Sequence, residues 1–102
     1  TAVSGSGPAY IFLLAECMAE AGMKAGLPQA LAEQLARTTI AGSGELLSQS
    51  TETAEILRIN VTSPGGTTAA ALDILMAEDG MHSLFDQAIQ AATRRSRELA
   101  TS

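Results

Sequence analysis

The chain has 102 residues, 46% of them apolar but only 3% aromatic, with a formal net charge of −5 and one cysteine. This length allows one domain with a modest core, and its bulk comes from Leu, Ile, Met and Ala, which favour helices over sheets. The six basic residues form no patch for nucleic acid, no apolar run reaches the roughly 18 residues of a membrane span, and a lone Cys17 excludes an internal disulfide and fits a reducing, cytoplasmic compartment.

Thr1 is preceded by no initiating Met and followed by no leader-like apolar run, the start expected of a piece cut from a longer protein. The first predicted helix runs from about Pro8 to Ala25. Proline suits a first helical position, where a missing N–H is no loss. Ile11, Leu14, Ala15, Met18 and Ala21/Gly22 recur at helical spacing, and Gly26 suits the left-handed position that ends a helix. Cys17 lies within this apolar stretch and reads as a small buried hydrophobe.

Leu27-Pro28 restarts a helix that reaches to about Ser50, with Leu31, Leu35, Thr38, Gly42 and Leu46 on its inward side. Gly42 and Gly44 each cost about 1 kcal/mol against Ala in a helix interior. They predict a kink or a very close neighbouring helix. A short helix follows from Thr53 to about Asn60, with Thr51 or Thr53 as its cap and Glu55 in its first turn. The next spans about Thr67 to Ala77 and is broken by "EDG" (78–80). The last spans about Met81 to Leu99, with Leu84, Phe85, Ala88, Ile89, Ala92 and Leu99 inward. Its "RRSR" (94–97) falls near the C-terminus, where cations complement the helix dipole. No segment sustains the period-two alternation of a strand, so the fold class is all-α.

The first helix reads Ala9, Tyr10, Ile11, Phe12, Leu13, Leu14, Ala15 without a charge. A helix apolar around its whole circumference must be covered on all sides. Five helices in one small domain enclose such a helix with difficulty, whereas a second copy does so by packing across a two-fold axis. Gly22, Ala41, Gly42 and Gly44 would let backbones approach. The expectation is a helical bundle that interlocks with its copy as a homodimer.

Chemistry-bearing residues are sparse. His82 has no Cys or His companions, so no metal site is expected. Ser4 and Ser6 sit in a glycine turn with no base to activate them. "GSGPAY" (5–10) fails as a nucleotide loop, because its third glycine and its preceding strand are both missing. "SPGGTT" (63–68) differs. The first N–H groups of a helix have no partner within it and carry partial positive charge. Here they belong to Thr67, Thr68 and Ala69. Gly65 and Gly66 leave the backbone bare and Pro64 stiffens the approach, so a carboxylate can reach two amides at the favourable end of the dipole. A threonine hydroxyl adds one more polar contact. The bland alternative is a helix cap with a flexible turn.

In order and spacing, "AVSGSGPAYIF", "AGMKAGLP" and "INVTSPGGTTAAALDIL", together with the closing "RRSREL", resemble the C-terminal half of pyrroline-5-carboxylate reductase. The likeness covers essentially the whole chain. It implies an enzyme that reduces the cyclic imine Δ1-pyrroline-5-carboxylate to L-proline, the last step of proline biosynthesis, with hydride from NADPH or NADH. It implies the two-domain plan of a 6-phosphogluconate-dehydrogenase-like reductase, in which residues 1–102 are the helical dimerisation and substrate-binding domain. The N-terminal Rossmann domain, which binds most of the cofactor, would be absent from these residues, leaving them inactive alone. Dimers of this family assemble further, commonly into decamers.

By resemblance, Ser63, Gly65, Gly66, Thr67 and Thr68 bind substrate. The amides of Thr67 and Thr68 hold its carboxylate, and the Thr68 hydroxyl acts at the ring nitrogen as the catalytic group. Asn60, Val61, Ser6 and Gly7 would line the pocket or face the nicotinamide. Two other readings remain open: an oligomerisation module without a ligand site of its own, or the helical domain of another imine or β-hydroxyacid dehydrogenase.

Overall fold

A computed structural model describes residues 1–101. The described residues form five helices and no strand: α1 (Gly7–Lys24), α2 (Gln29–Gln49), α3 (Ala54–Asn60), α4 (Thr67–Leu75) and α5 (Met81–Thr101). The all-α expectation holds. The chain divides into two compact units, one of Ser4–Thr51 and one of Thr1–Val3 with the chain from Glu52 onward.

The first unit is the α1–α2 hairpin. Ser6 precedes α1, and Pro8 sits in its first turn. Its far end closes by a Schellman motif: the Leu27 amide donates to the Gly22 carbonyl and the Gly26 amide to the Met23 carbonyl, both at 3.0 Å. Gly26 takes φ +113°, a conformation that favours glycine. Pro28 then caps α2, its carbonyl accepting from the Ala32 amide at 2.9 Å.

Where the two helices meet, the side chains are small. Ala19 on α1 and Ala32 and Ala36 on α2 are the buried residues. A Cβ placed on Gly22 would stand 3.4 Å from Leu27 Cδ1 and 3.5 Å from Ala32 Cβ. Gly22 therefore serves the hairpin itself, not an approach between copies as expected from sequence. The predicted inward stripe of α2 is also displaced, because Leu31, Leu35 and Leu46 are exposed while the alanines one position later face α1. Small residues win that face because they let two backbones come close; leucines there would hold them apart. Cys17 is exposed, against the expectation of burial.

The second unit holds α3, α4 and α5. Thr53, not Thr51, caps α3, its Oγ1 accepting from the Ile56 amide at 3.2 Å. α4 stops at Leu75, two residues earlier than the hydrophobic pattern suggests. Gly80 explains the stop: a Cβ there would fall 2.3 Å from the Leu75 carbonyl oxygen, so the chain turns back over the end of α4 through a position that admits no side chain. α5 continues two residues past Leu99. Its last turn consequently holds no basic residue, and "RRSR" lies one turn too early to meet the dipole's end. Arg95 instead pairs with Glu98 at 3.1 Å on an exposed face, a bridge of at most a few tenths of a kcal/mol.

Large apolar side chains remain uncovered in both units. Phe12 is 67% exposed, Leu13 58%, Ile74 76% and Leu84 60%. Gly42 and Gly44 lie in an unbroken α2 and face open space, so neither a kink nor a close neighbour within the chain accounts for them. The accessible surface of 7952 Å² for 10.5 kDa compares with roughly 5,400 Å² for a compact monomer of that mass. The difference of roughly 2,500 Å² is what one subunit contributes to a large obligate interface.

Because Ala32 sits at the tightest point of the hairpin, Ala32→Leu should lower stability by about 1–3 kcal/mol, read as a fall in the urea midpoint at unchanged slope. Leu35→Ala, on the exposed stripe, should cost the isolated hairpin packing far less.

Candidate functional site

Six residues connect α3 to α4, and their order follows from local chemistry. At the end of α3 the Val61 amide donates to the Arg58 carbonyl at 3.3 Å and the Thr62 amide to the Ile59 carbonyl at 3.0 Å. The Thr62 hydroxyl also turns back, donating to the Arg58 carbonyl at 2.6 Å. The next four residues form a tight turn closed by the Gly66 amide on the Ser63 carbonyl at 3.0 Å. Proline at the second position and glycine with φ +72° at the third are the requirements of a type II turn. Gly66 is the N-cap of α4, in extended conformation and without a side chain to occupy the helix end.

The first helical bond runs from the Ala70 amide to the Gly66 carbonyl at 3.1 Å. The amides of Thr67, Thr68 and Ala69 therefore have no acceptor among the described residues, and no acidic residue stands in the first turn of α4. Three N–H donors at the positive end of a helix, approached past two glycines, can take a carboxylate without displacing any protein group. A Cβ on Gly66 would sit 3.2 Å from the Ser63 carbonyl oxygen, so the turn is already filled by backbone. Thr67 is exposed and Thr68 half-buried, and neither hydroxyl makes a hydrogen bond among the described residues.

Ser63, Gly65, Gly66, Thr67 and Thr68 thus form one continuous segment, with Asn60 and Val61 at the end of α3 before it. Ser6 and Gly7 begin α1 in the other unit. None of these residues lines either of the two principal clefts. One, of about 710 Å³, lies along α1 and α2 between Phe12, Met23, Arg37 and Ile40. The other, of about 330 Å³, lies among Arg58, Leu72, Met76, Met81, His82 and Phe85. Among the described residues no cluster of His, Cys, Asp or Glu could hold a metal ion, and no helix is long and apolar enough to cross a membrane. Sequence reasoning missed Thr62. Its signal was a hydroxyl four residues after Arg58, the spacing for bonding back to a helix carbonyl.

A helical module with uncovered apolar faces and a bare, amide-rich helix start has the build of an assembly domain that also carries a small-anion seat. Residues 1–99 match the sequence family described as pyrroline-5-carboxylate reductase dimerisation. The chain belongs to that family. It is 50% identical over 101 residues to a pyrroline-5-carboxylate reductase of Pseudomonas aeruginosa, covering 98% of this chain and 36% of the relative. With that of Synechocystis it shares 46% over 99 residues, covering 97% and 37%.

Two solved structures are similar. One is a pyrroline-5-carboxylate reductase from Coxiella burnetii, at TM-score 0.90 and 42% identity over 96% of this chain and 36% of that one. The other is a Plasmodium falciparum pyrroline carboxylate reductase with NADP bound, at TM-score 0.89 and 38% identity over 96% and 37%. The chain spans little more than a third of the length of the curated relatives it matches.

At φ +72° an L-side chain is strained, so Gly65→Ala should cost about 1 kcal/mol and Gly65→Asn less, since asparagine tolerates that region. Paired denaturation curves of the two variants check the order.

Proposed function

We propose that this chain is the dimerisation and substrate-seating domain of an NAD(P)H-dependent pyrroline-5-carboxylate reductase, reducing Δ1-pyrroline-5-carboxylate to L-proline. The observation that carries the reading is the set of free amides at Thr67–Ala69 behind the Ser63–Gly66 turn, in a chain of this family. The substrate is a small ring with a carboxylate and an imine nitrogen. The carboxylate takes the amides and the dipole end, which the net charge of −5 would otherwise make an unfavourable surface for an anion. That contact fixes the ring and leaves the Thr68 hydroxyl to meet the nitrogen. Protonation of that nitrogen favours hydride arrival at carbon. A threonine hydroxyl is too weak an acid to supply the proton at neutral pH, so Thr68 orients the nitrogen while water delivers the proton.

The described residues contain no strand–glycine loop–helix cradle, and they do not fit a dinucleotide diphosphate. In this proposal the nucleotide, source of the hydride, is held by a Rossmann domain outside residues 1–102, with Asn60 and Val61 on the side of the seat that faces it. Two copies of this domain cover each other's apolar faces, and dimers join into a larger ring such as a decamer. The enzyme works in the cytoplasm.

In the full-length reductase, Thr68→Ala should lower kcat/KM by roughly 10- to 100-fold, the loss of one hydrogen bond to a charged substrate, with the sedimentation coefficient unchanged. Unaltered kinetics would remove Thr68 from the reaction. Phe12→Asp should weaken dimerisation at least a hundredfold by placing a charge in the apolar face, seen as monomer by sedimentation velocity at micromolar chain concentration.

A further inference from the structure

Three threonines flank the glycine turn, and their hydroxyls differ in what they do. Those of Thr67 and Thr68 are unengaged among the described residues. That of Thr62, in a half-buried residue, is spent on the Arg58 carbonyl at 2.6 Å, at the short end of the range for such bonds. The same carbonyl receives the Val61 amide only at 3.3 Å, so the side chain makes the closer of its two bonds.

We infer that Thr62 is a positioning residue for the carboxylate seat: its hydroxyl fixes the Ser63–Gly66 turn, and through it the amides of Thr67 and Thr68, against the end of α3. The inference rests on the function proposed above. The connection has two pins. Gly66 on Ser63 makes the turn rigid within itself, and Thr62 on Arg58 ties that turn to α3. With the second pin removed, the turn keeps its shape but the backbone about Thr62 and Ser63 can rotate. The amides then point over a wider range, and ordering them falls to the bound carboxylate. The substrate loses affinity, while the nucleotide, held elsewhere, does not.

Thr62→Val keeps the branched shape and removes the donor; Thr62→Ser keeps the donor. In the full-length reductase, Thr62→Val should raise KM for Δ1-pyrroline-5-carboxylate about fivefold, the worth of one ordinary hydrogen bond. The nucleotide KM should stay within twofold of the parent, and Thr62→Ser should restore the imine KM. L-proline, used as the carboxylate probe in competitive inhibition, should weaken in parallel. If Thr62→Val is poorly soluble, Thr62→Ala reads the same quantity. A Thr62→Val enzyme with parental imine KM, or a Thr62→Ser enzyme as impaired as Thr62→Val, overturns the inference. The Thr68→Ala variant separates the two levels. If it is impaired while Thr62→Val is not, only the role of Thr62 falls; if neither is impaired, the seat itself is elsewhere and both fall.

Discussion

The chain makes more apolar helix surface than it can enclose. Its tightest packing is an alanine seam between α1 and α2, while the leucines, isoleucines and phenylalanines that should hold a domain together lie on outer faces. Burial of such side chains is the main favourable term in folding, at about 1.5–3 kcal/mol for each large residue. A chain that leaves them in water forgoes most of that term. The alanine seam sets the geometry of the hairpin, and cover for the leucines has to come from outside the chain. Membership of a dimerisation family is the chemical counterpart of this imbalance.

The same constraint shapes the candidate site. A loop on an unsteady scaffold cannot hold three amides in one direction, yet the α3–α4 connection does so with few residues. Thr53 starts α3, the Thr62 hydroxyl finishes it, and the proline–glycine turn delivers the chain to α4 without a side chain at its head. The glycines that looked like flexibility have assigned work: Gly65 supplies a left-handed step, and Gly66 leaves the helix end bare. Bareness is the functional property, because any acidic or hydroxylic cap at that position would occupy the donors that a substrate carboxylate needs.

Helix starts and the glycine-terminated end of α1 were legible in the residues, since Pro8, Pro28, Thr53 and Gly26 act through local chemistry alone. The glycine turn was legible for the same reason. Facing was not. Periodicity identifies an apolar stripe on α2 but cannot say whether Leu31 and Leu35 or Ala32 and Ala36 meet α1, because that depends on how closely two backbones approach. Cys17 was misread through the same gap: an apolar neighbourhood in sequence is not burial when the covering surface lies outside the chain. The end of α4 was hidden because Met76 and Ala77 continue the pattern, and only the close pass of Gly80 over Leu75 stops it. The Thr62 back-bond escaped because a threonine near a helix end has several possible acceptors.

If partner contacts supply the missing burial, folding and association are one equilibrium. The most direct measurement is the urea midpoint of this chain across a hundredfold range of protein concentration. Coupled folding predicts one transition whose midpoint rises steadily with concentration. A midpoint independent of concentration would mean that a single copy encloses its own core, and would contradict the account.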